Sequence, residues 1–154
     1  MSTLEQDTMQ DLYIIFFLDD KEYAIEIRHL TEIVAFQAIT PIPNLPEYIK
    51  GVINLRGKVI PIIDVRLRFS MHAKEYTDFT CILIVNHNEV STGLVVDGVR
   101  EVLRIAAENV EPAPEIASTN HTERFIKSIG KTDDGKLKVI INLEKFIHDV
   151  SEVA

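Results

Sequence analysis

From Leu12 onward the chain reads as short apolar runs rich in Ile, Val, Phe and Tyr, each closed by turn residues. That is the pattern of strands rather than helices. Leu12–Leu18 is one run; Asp19-Asp20-Lys21-Glu22 breaks it, and Tyr23–Ile27 resumes it. Gly51–Leu55 and Lys58–Ile63 flank the tight turn Arg56-Gly57, where glycine supplies the positive φ that such turns demand. Phe79–Val85, Thr92–Val96 and Val99–Ile105 follow, and Ile126–Ile129 and Leu137–Leu143 flank the turn Asp133-Asp134-Gly135. Helical signals are confined to turns near Pro46–Lys50 and Val65–Phe69 and to a short piece at Glu144–Val150. Pro61 cannot donate to a ladder, so it predicts an edge or a bulge. Short strands at this spacing predict a barrel or sandwich.

The chain also repeats itself. Tyr23–Ile33 lies over Thr92–Val102 without a gap, bringing Ile25 onto Leu94, Ile27 onto Val96, Leu30 onto Val99, Ile33 onto Val102 and Glu32 onto Glu101. Tyr48-Ile-Lys50 matches Phe125-Ile-Lys127, and Gly57–Val65 matches Gly135–Leu143. Three overlays in one order describe two related β-units, each too small for a comfortable core alone. The overlay does not say whether the units exchange strands.

At 154 residues the chain is one domain, or two very small ones sharing a core. The expected division is a leader over 1–10, subdomains over roughly 11–69 and 76–148, and a tail over 149–154. A net charge of -8 without any Lys/Arg cluster excludes the basic field that nucleic acid or an anionic membrane requires. A single cysteine, Cys81, rules out an internal disulfide and any multi-cysteine zinc site; inside Thr80–Val85 it reads as a small buried thiol. Met1–Gln10 has no apolar stretch of the signal-peptide kind, and no segment nears the ~20 apolar residues of a membrane span, so the cytoplasm is the expected location.

Chemistry-bearing motifs are absent from the sequence. His29, His72, His87, His121 and His148 fall in no metal-ligand spacing, and no nucleophile elbow, phosphate loop or dinucleotide fingerprint occurs. Neither a cofactor nor a metal is expected. Glu26, Glu32, Asp64, Asp97 and Glu101 lie near strand ends, where acids also terminate strands and keep β-proteins soluble. A two-acid active site would need Glu32, Asp64 and Asp97 to converge in a pocket. The hairpin around Arg56 is more telling. Its second copy keeps Gly and Lys but carries Asp134 in place of Arg56, so the turn itself does not require arginine. Arg56 could instead pair with Glu32 and present a fixed fork to a partner.

Ile49-Lys-Gly-Val-Ile-Asn-Leu-Arg-Gly57, Val59-Ile-Pro-Ile-Ile-Asp64 and Arg68-Phe69 closely resemble the hallmark stretch of CheW-like domains. The likeness continues in Tyr23–Ile27, Glu32-Ile33, Gly93–Val99 and Pro112–Glu115, and covers roughly residues 12 to 147; only Ser70–Asp78 and Ala117–Glu123 carry no matching motif. The resemblance implies an all-β fold with short helices: two packed SH3-like five-stranded barrels sharing a hydrophobic core. It implies a non-enzymatic chemotaxis adaptor, a monomer that assembles into signalling arrays without entering the membrane. Its partners would be the cytoplasmic tip of chemoreceptors and the regulatory domain of the histidine kinase CheA. A receptor helical hairpin would dock in a groove between the barrels. The positions facing it would be Leu30, Glu32, Ile33, Arg56 and Val102, with Gly51 and Gly57 shaping the hairpin and Lys50 on the kinase side. Leu30 and Val102 stand evenly between core and groove. The alternative is a regulatory domain cut from a larger kinase or a receiver-fused adaptor; Met1, a polar leader and a short tail favour a complete single-domain protein.

Overall fold

The computed structural model describes residues 10–114, 122–148 and 150. Met1–Met9, Glu115, His121, Asp149 and the tail after Val150 therefore lie outside the described residues. Among the described residues eleven strands follow one another: β1 (Leu12–Leu18), β2 (Lys21–Glu26), β3 (Leu30–Ala35), β4 (Ile49–Leu55), β5 (Lys58–Asp64), β6 (Cys81–His87), β7 (Val90–Val96), β8 (Gly98–Arg104), β9 (Val110–Pro112), β10 (Ile126–Lys131) and β11 (Leu137–Ile141). A one-turn helix follows β5 (α1, Val65–Arg68) and another follows β11 (α2, Leu143–Phe146). Each is N-capped by a side chain, Asp64 accepting from the Leu67 amide and Asn142 from the Lys145 amide.

The strands form a six-stranded sheet, β8-β1-β2-β11-β10-β9, and a five-stranded sheet, β3-β6-β7-β5-β4. Both curl into barrels. In the first, the outermost strands β8 and β9 are joined in sequence by a single 3-10 turn, Ala107–Asn109, so the two edges must approach. In the second, the chain leaving edge strand β3 reaches Thr40, which bridges Val52 on the opposite edge strand β4. The expected pair of SH3-like barrels is present, with β9 added to one of them.

The sheets do not divide the chain near residues 69 and 76. The hairpin β1–β2 opens the first repeat yet lies in the sheet of β8–β11, while β6–β7 lies in the sheet of β3–β5. Each repeat lends its first hairpin to the other barrel, and the registers coincide. Ile33 opposes Leu83 as Val102 opposes Ile14. The parallel pair Ile62 and Gly93 matches Ile140 and Ala24. The chain crosses between barrels at Ile27–His29 and again at Asp97.

Exchange explains the near-continuous apolar runs, because the exchanged strands are buried on both faces. On β1, Tyr13 and Ile15 face the interior of the first barrel, whereas Ile14, Phe16 and Leu18 join a core shared with Ile63, Leu83, Leu94 and Phe146. On β6, Ile82 and Ile84 fill the second barrel while Leu83 and Val85 face the shared core. Several local expectations change. β3 and β9 are strands that the apolar pattern alone did not mark. Phe79 lies before β6, 77% exposed, and Cys81 is only partly buried. Pro61 sits in an interior strand opposite Val52, but pairing with β7 starts only at Ile62, so no bond on that side is lost.

Candidate protein-interaction site

The β4–β5 turn holds both Arg56 (φ 52) and Gly57 (φ 85) in the left-handed region, the geometry of a primed two-residue hairpin turn. The Gly57 amide donates to Asn54 Oδ1 at 2.8 Å, fixing the turn from within. Arg56 therefore projects from a rigid tip, and its guanidinium donates to the carboxylate of Glu32 on β3. The pair is solvent-facing, with Arg56 68% and Glu32 29% exposed, so it adds about 1 kcal/mol or less to stability. It holds the fork in place and leaves most of the guanidinium accessible.

The remaining expected contacts divide between the two faces of β3. Glu32 opposes Ile84, which fills the second barrel, whereas Leu30 and Ile33 oppose Val85 and Leu83 of the shared core. Leu30 is half-buried against that core; Ile33 continues it outward and is 44% exposed. Val102 holds the corresponding edge position on β8, opposite buried Ile14, and is 50% exposed. Leu30 thus leans to core packing, while Ile33 and Val102 are its exposed margins on two different sheets. Glu32 and Arg56 are brought together; Ile33 and Val102 are related by the repeat.

Gly51 acts at barrel closure rather than at the hairpin turn. A β-carbon there would lie 2.0 Å from the Thr40 carbonyl oxygen, and its φ is +139°. The amides of Thr40 and Val52 exchange hydrogen bonds of 2.8 and 2.9 Å beside it. Lys50 is the extra residue of a bulge between Ile49 and Gly51, and Lys127 occupies the same place between Ile126 and Ser128. Lys127 donates to Glu26 at 2.6 Å. The counterpart of Glu26 in the other barrel is buried Val95, and Lys50 has no ion pair among the described residues.

Residues 12–151 match the family model described as the CheW-like domain. The chain belongs to the CheW-like domain family. It is 37% identical over 147 residues to the chemotaxis protein CheW of Klebsiella aerogenes, covering 96% of this chain and 87% of that protein. The chemotaxis protein CheW of Bacillus subtilis is 36% identical over 127 residues, covering 82% and 81%. A crystal structure of the scaffolding protein TtCheW from Thermoanaerobacter tengcongensis superposes with a TM-score of 0.81 at 37% identity, covering 89% of this chain and 92% of that one. The chain is thus a chemotaxis scaffold of CheW-like architecture, and a fragment of a larger kinase is not the favoured reading.

Within this CheW-like frame the three acids of the rival active-site reading do not converge. Glu32 pairs with Arg56, Asp64 caps α1 and accepts from the Tyr76 hydroxyl at 3.0 Å, and Asp97 accepts from Arg66 at 2.9 Å. Burial first, and then Asp64, push the Tyr76 hydroxyl well above its ordinary value. Arg66 is a residue that sequence reasoning missed. Its buried guanidinium also donates to Asp19 and to the His72 carbonyl, both at 3.1 Å, tying the β1–β2 turn and the loop after α1 to the crossing at Asp97. Lys74 closes the cluster at 3.2 Å from Asp19. Arg66 and then Lys74 hold the Asp19 carboxyl below its usual range. The other crossing brings His29 and His87 into ring contact, centroids 5.6 Å apart. No sequence spacing announces either cluster. Among the described residues no helix is long and apolar enough to cross a membrane, and no group of three potential ligands could hold a metal ion.

Proposed function

We propose that this chain couples chemoreceptor cytoplasmic tips to the regulatory domain of the histidine kinase CheA, as a cytoplasmic monomer recruited into receptor arrays. The observation that carries this reading is the pair of exposed margins, Ile33 and Val102, at equivalent edges of a core shared by two barrels. An amphipathic helical hairpin laid along the seam would extend that core, its apolar anchors meeting Leu30, Ile33 and Val102. Arg56, held by Glu32, is the polar anchor at the rim, where a preset guanidinium fork loses little entropy on binding a partner carboxylate. Lys50, whose counterpart Lys127 is occupied by Glu26, faces the kinase domain.

A reconstituted assay of receptor-dependent CheA autophosphorylation tests this. Arg56→Ala and Ile33→Glu should each lower receptor-dependent activity by about tenfold, the effect of losing ~1.4 kcal/mol of contact, while the variants melt as the parent does. Normal coupling by both variants would overturn the assignment of the seam. Loss of CheA binding with receptor binding intact in Lys50→Ala would place Lys50 as stated; undiminished CheA binding would remove it.

A further inference from the structure

The two margins of the seam are alike in backbone and opposite in charge. β3 and β8 carry the same bulge, Thr31 between Leu30 and Glu32 on one and Arg100 between Val99 and Glu101 on the other. Glu101 therefore stands beside Val102 as Glu32 stands beside Ile33. Glu32 opposes Ile84 and Glu101 opposes Ile15, each of which fills the barrel of its own sheet.

What the two glutamates meet is different. Glu32 accepts from Arg56. The residue in the place of Arg56 is Asp134, whose carboxylate accepts from the Thr132 hydroxyl and, at 3.0 Å, from the Lys136 amide of its own turn. The arginines flanking Glu101 are turned to other partners. Arg100 lies 4.1 Å from the Phe17 ring centroid and 3.9 Å from Glu22, and Arg104 donates to the Gln10 carbonyl at 2.7 Å. All 16 Lys and Arg residues of the chain are among the described residues, and none of them forms an ion pair with Glu101. One margin thus presents an accessible guanidinium and the other an accessible carboxylate, since Glu101 is exposed.

Shape alone does not orient a partner in such a seam. Leu30 and Val99 are equivalent by the repeat, as are Ile33 and Val102, so a hairpin of two antiparallel helices meets similar apolar surface whichever arm lies on which barrel. Charge separates the two arrangements, because the wrong one brings like charges together. On the footing that the seam is the receptor site, we propose that Glu101 is a specificity-determining residue: it receives a Lys or Arg from one arm of the receptor hairpin while Arg56 receives an acid from the other. The two margins together set which arm lies on which barrel.

The test uses the full chain and a soluble fragment of the receptor cytoplasmic tip with a nitroxide label on one arm. In the parent, broadening of backbone amide signals should fall on β3 or on β8 and not on both. Glu101→Gln should weaken binding by about fivefold at low salt, the upper range for one exposed ion pair, and spread the broadening over both margins. Glu101→Lys should weaken it further, and high salt should narrow the gap between each variant and the parent. Both variants should melt as the parent does, because neither removes an ion pair among the described residues. Binding by the two variants that matches the parent in affinity and in orientation would overturn the inference and leave the seam standing. A parent that binds without saturation, or without broadening at either margin, would overturn the seam as the receptor site and this inference with it.

Discussion

The two repeats share a backbone and differ in what they hang on it. Both lend a hairpin to the other barrel, both carry a bulge at the same place, and both end in a one-turn helix capped by Asp64 or Asn142. At the bulge, one has Gly51 against Thr40 and the other has Ser128 against Pro112. At the turn, one has Arg56 and the other Asp134. At the crossings, one has Arg28-His29 and the other Asp97-Gly98. Where two copies fold alike, a residue found in only one of them is not required by the shared fold. It serves either a local close approach, as Gly51 does, or chemistry directed elsewhere, as proposed above for Arg56.

Gly51 gives the widest separation between the copies. Gly51→Ala must displace the Thr40 carbonyl and adopt a φ that L-residues avoid, so a loss of about 3 kcal/mol or more is expected, including outright failure to fold. Ser128→Ala should cost no more than about 1 kcal/mol in the same denaturation experiment. Equal losses at both positions would show that closure is no tighter in one barrel than in the other. The crossing at Asp97 comes next. Arg66→Met leaves Asp97, 13% exposed, without its buried partner, and should cost about 3 kcal/mol. A cost below ~1 kcal/mol would mean that Lys74, 3.7 Å from Asp97, compensates.

The sequence makes the two-barrel architecture legible because strands buried on both faces leave continuous apolar runs, and because the repeats overlay without gaps. Strand exchange is not legible. A continuous apolar run such as Leu12–Leu18 is satisfied by any partner that covers both faces, so the pattern carries no information on which barrel receives it. β3 escapes notice because Thr31, Ile33 and Ala35 are exposed and its alternation is short. The pairing of Glu32 with Arg56 is readable, since Asp134 in the second copy shows that the turn needs no arginine. The Arg66 cluster is not, because Asp19, Arg66, Lys74 and Asp97 are scattered in sequence and meet only through the exchange.

The turn separates function from stability. Arg56→Ala should change unfolding free energy by about 1 kcal/mol or less, as expected of an exposed ion pair, and Asp134→Ala should leave the unfolding curve close to the parent's. Only Arg56→Ala should weaken kinase coupling. If both variants impaired coupling alike, the argument from dissimilar copies would fail at this position.

The smallest effect belongs to the crossing at Ile27–His29 and appears only with pH. Burial, then the Arg28 guanidinium, and more weakly His87 and Lys127, lower the His29 pKa from its ordinary 6.5, with Glu26 opposing them. Burial raises the Glu26 carboxyl, but Lys127 and Arg28 outweigh it and hold it below the usual carboxylate range, so the acid is charged throughout this window. The folded protein therefore takes up a proton on His29 less readily than the unfolded chain does. Stability is at its full value above 6.5 and declines as pH falls from there towards the lowered folded value. His29→Gln should flatten the stability profile, relative to the parent, as pH falls below 6.5. Below that window, the descent due to Asp19 and Glu26, whose carboxyls are held low by their cations, should persist unchanged. The second crossing has Gly98 at the place of His29, so any slope remaining just below pH 6.5 in His29→Gln would have to come from elsewhere in the fold, and the contrast between the two crossings would lose its titratable element.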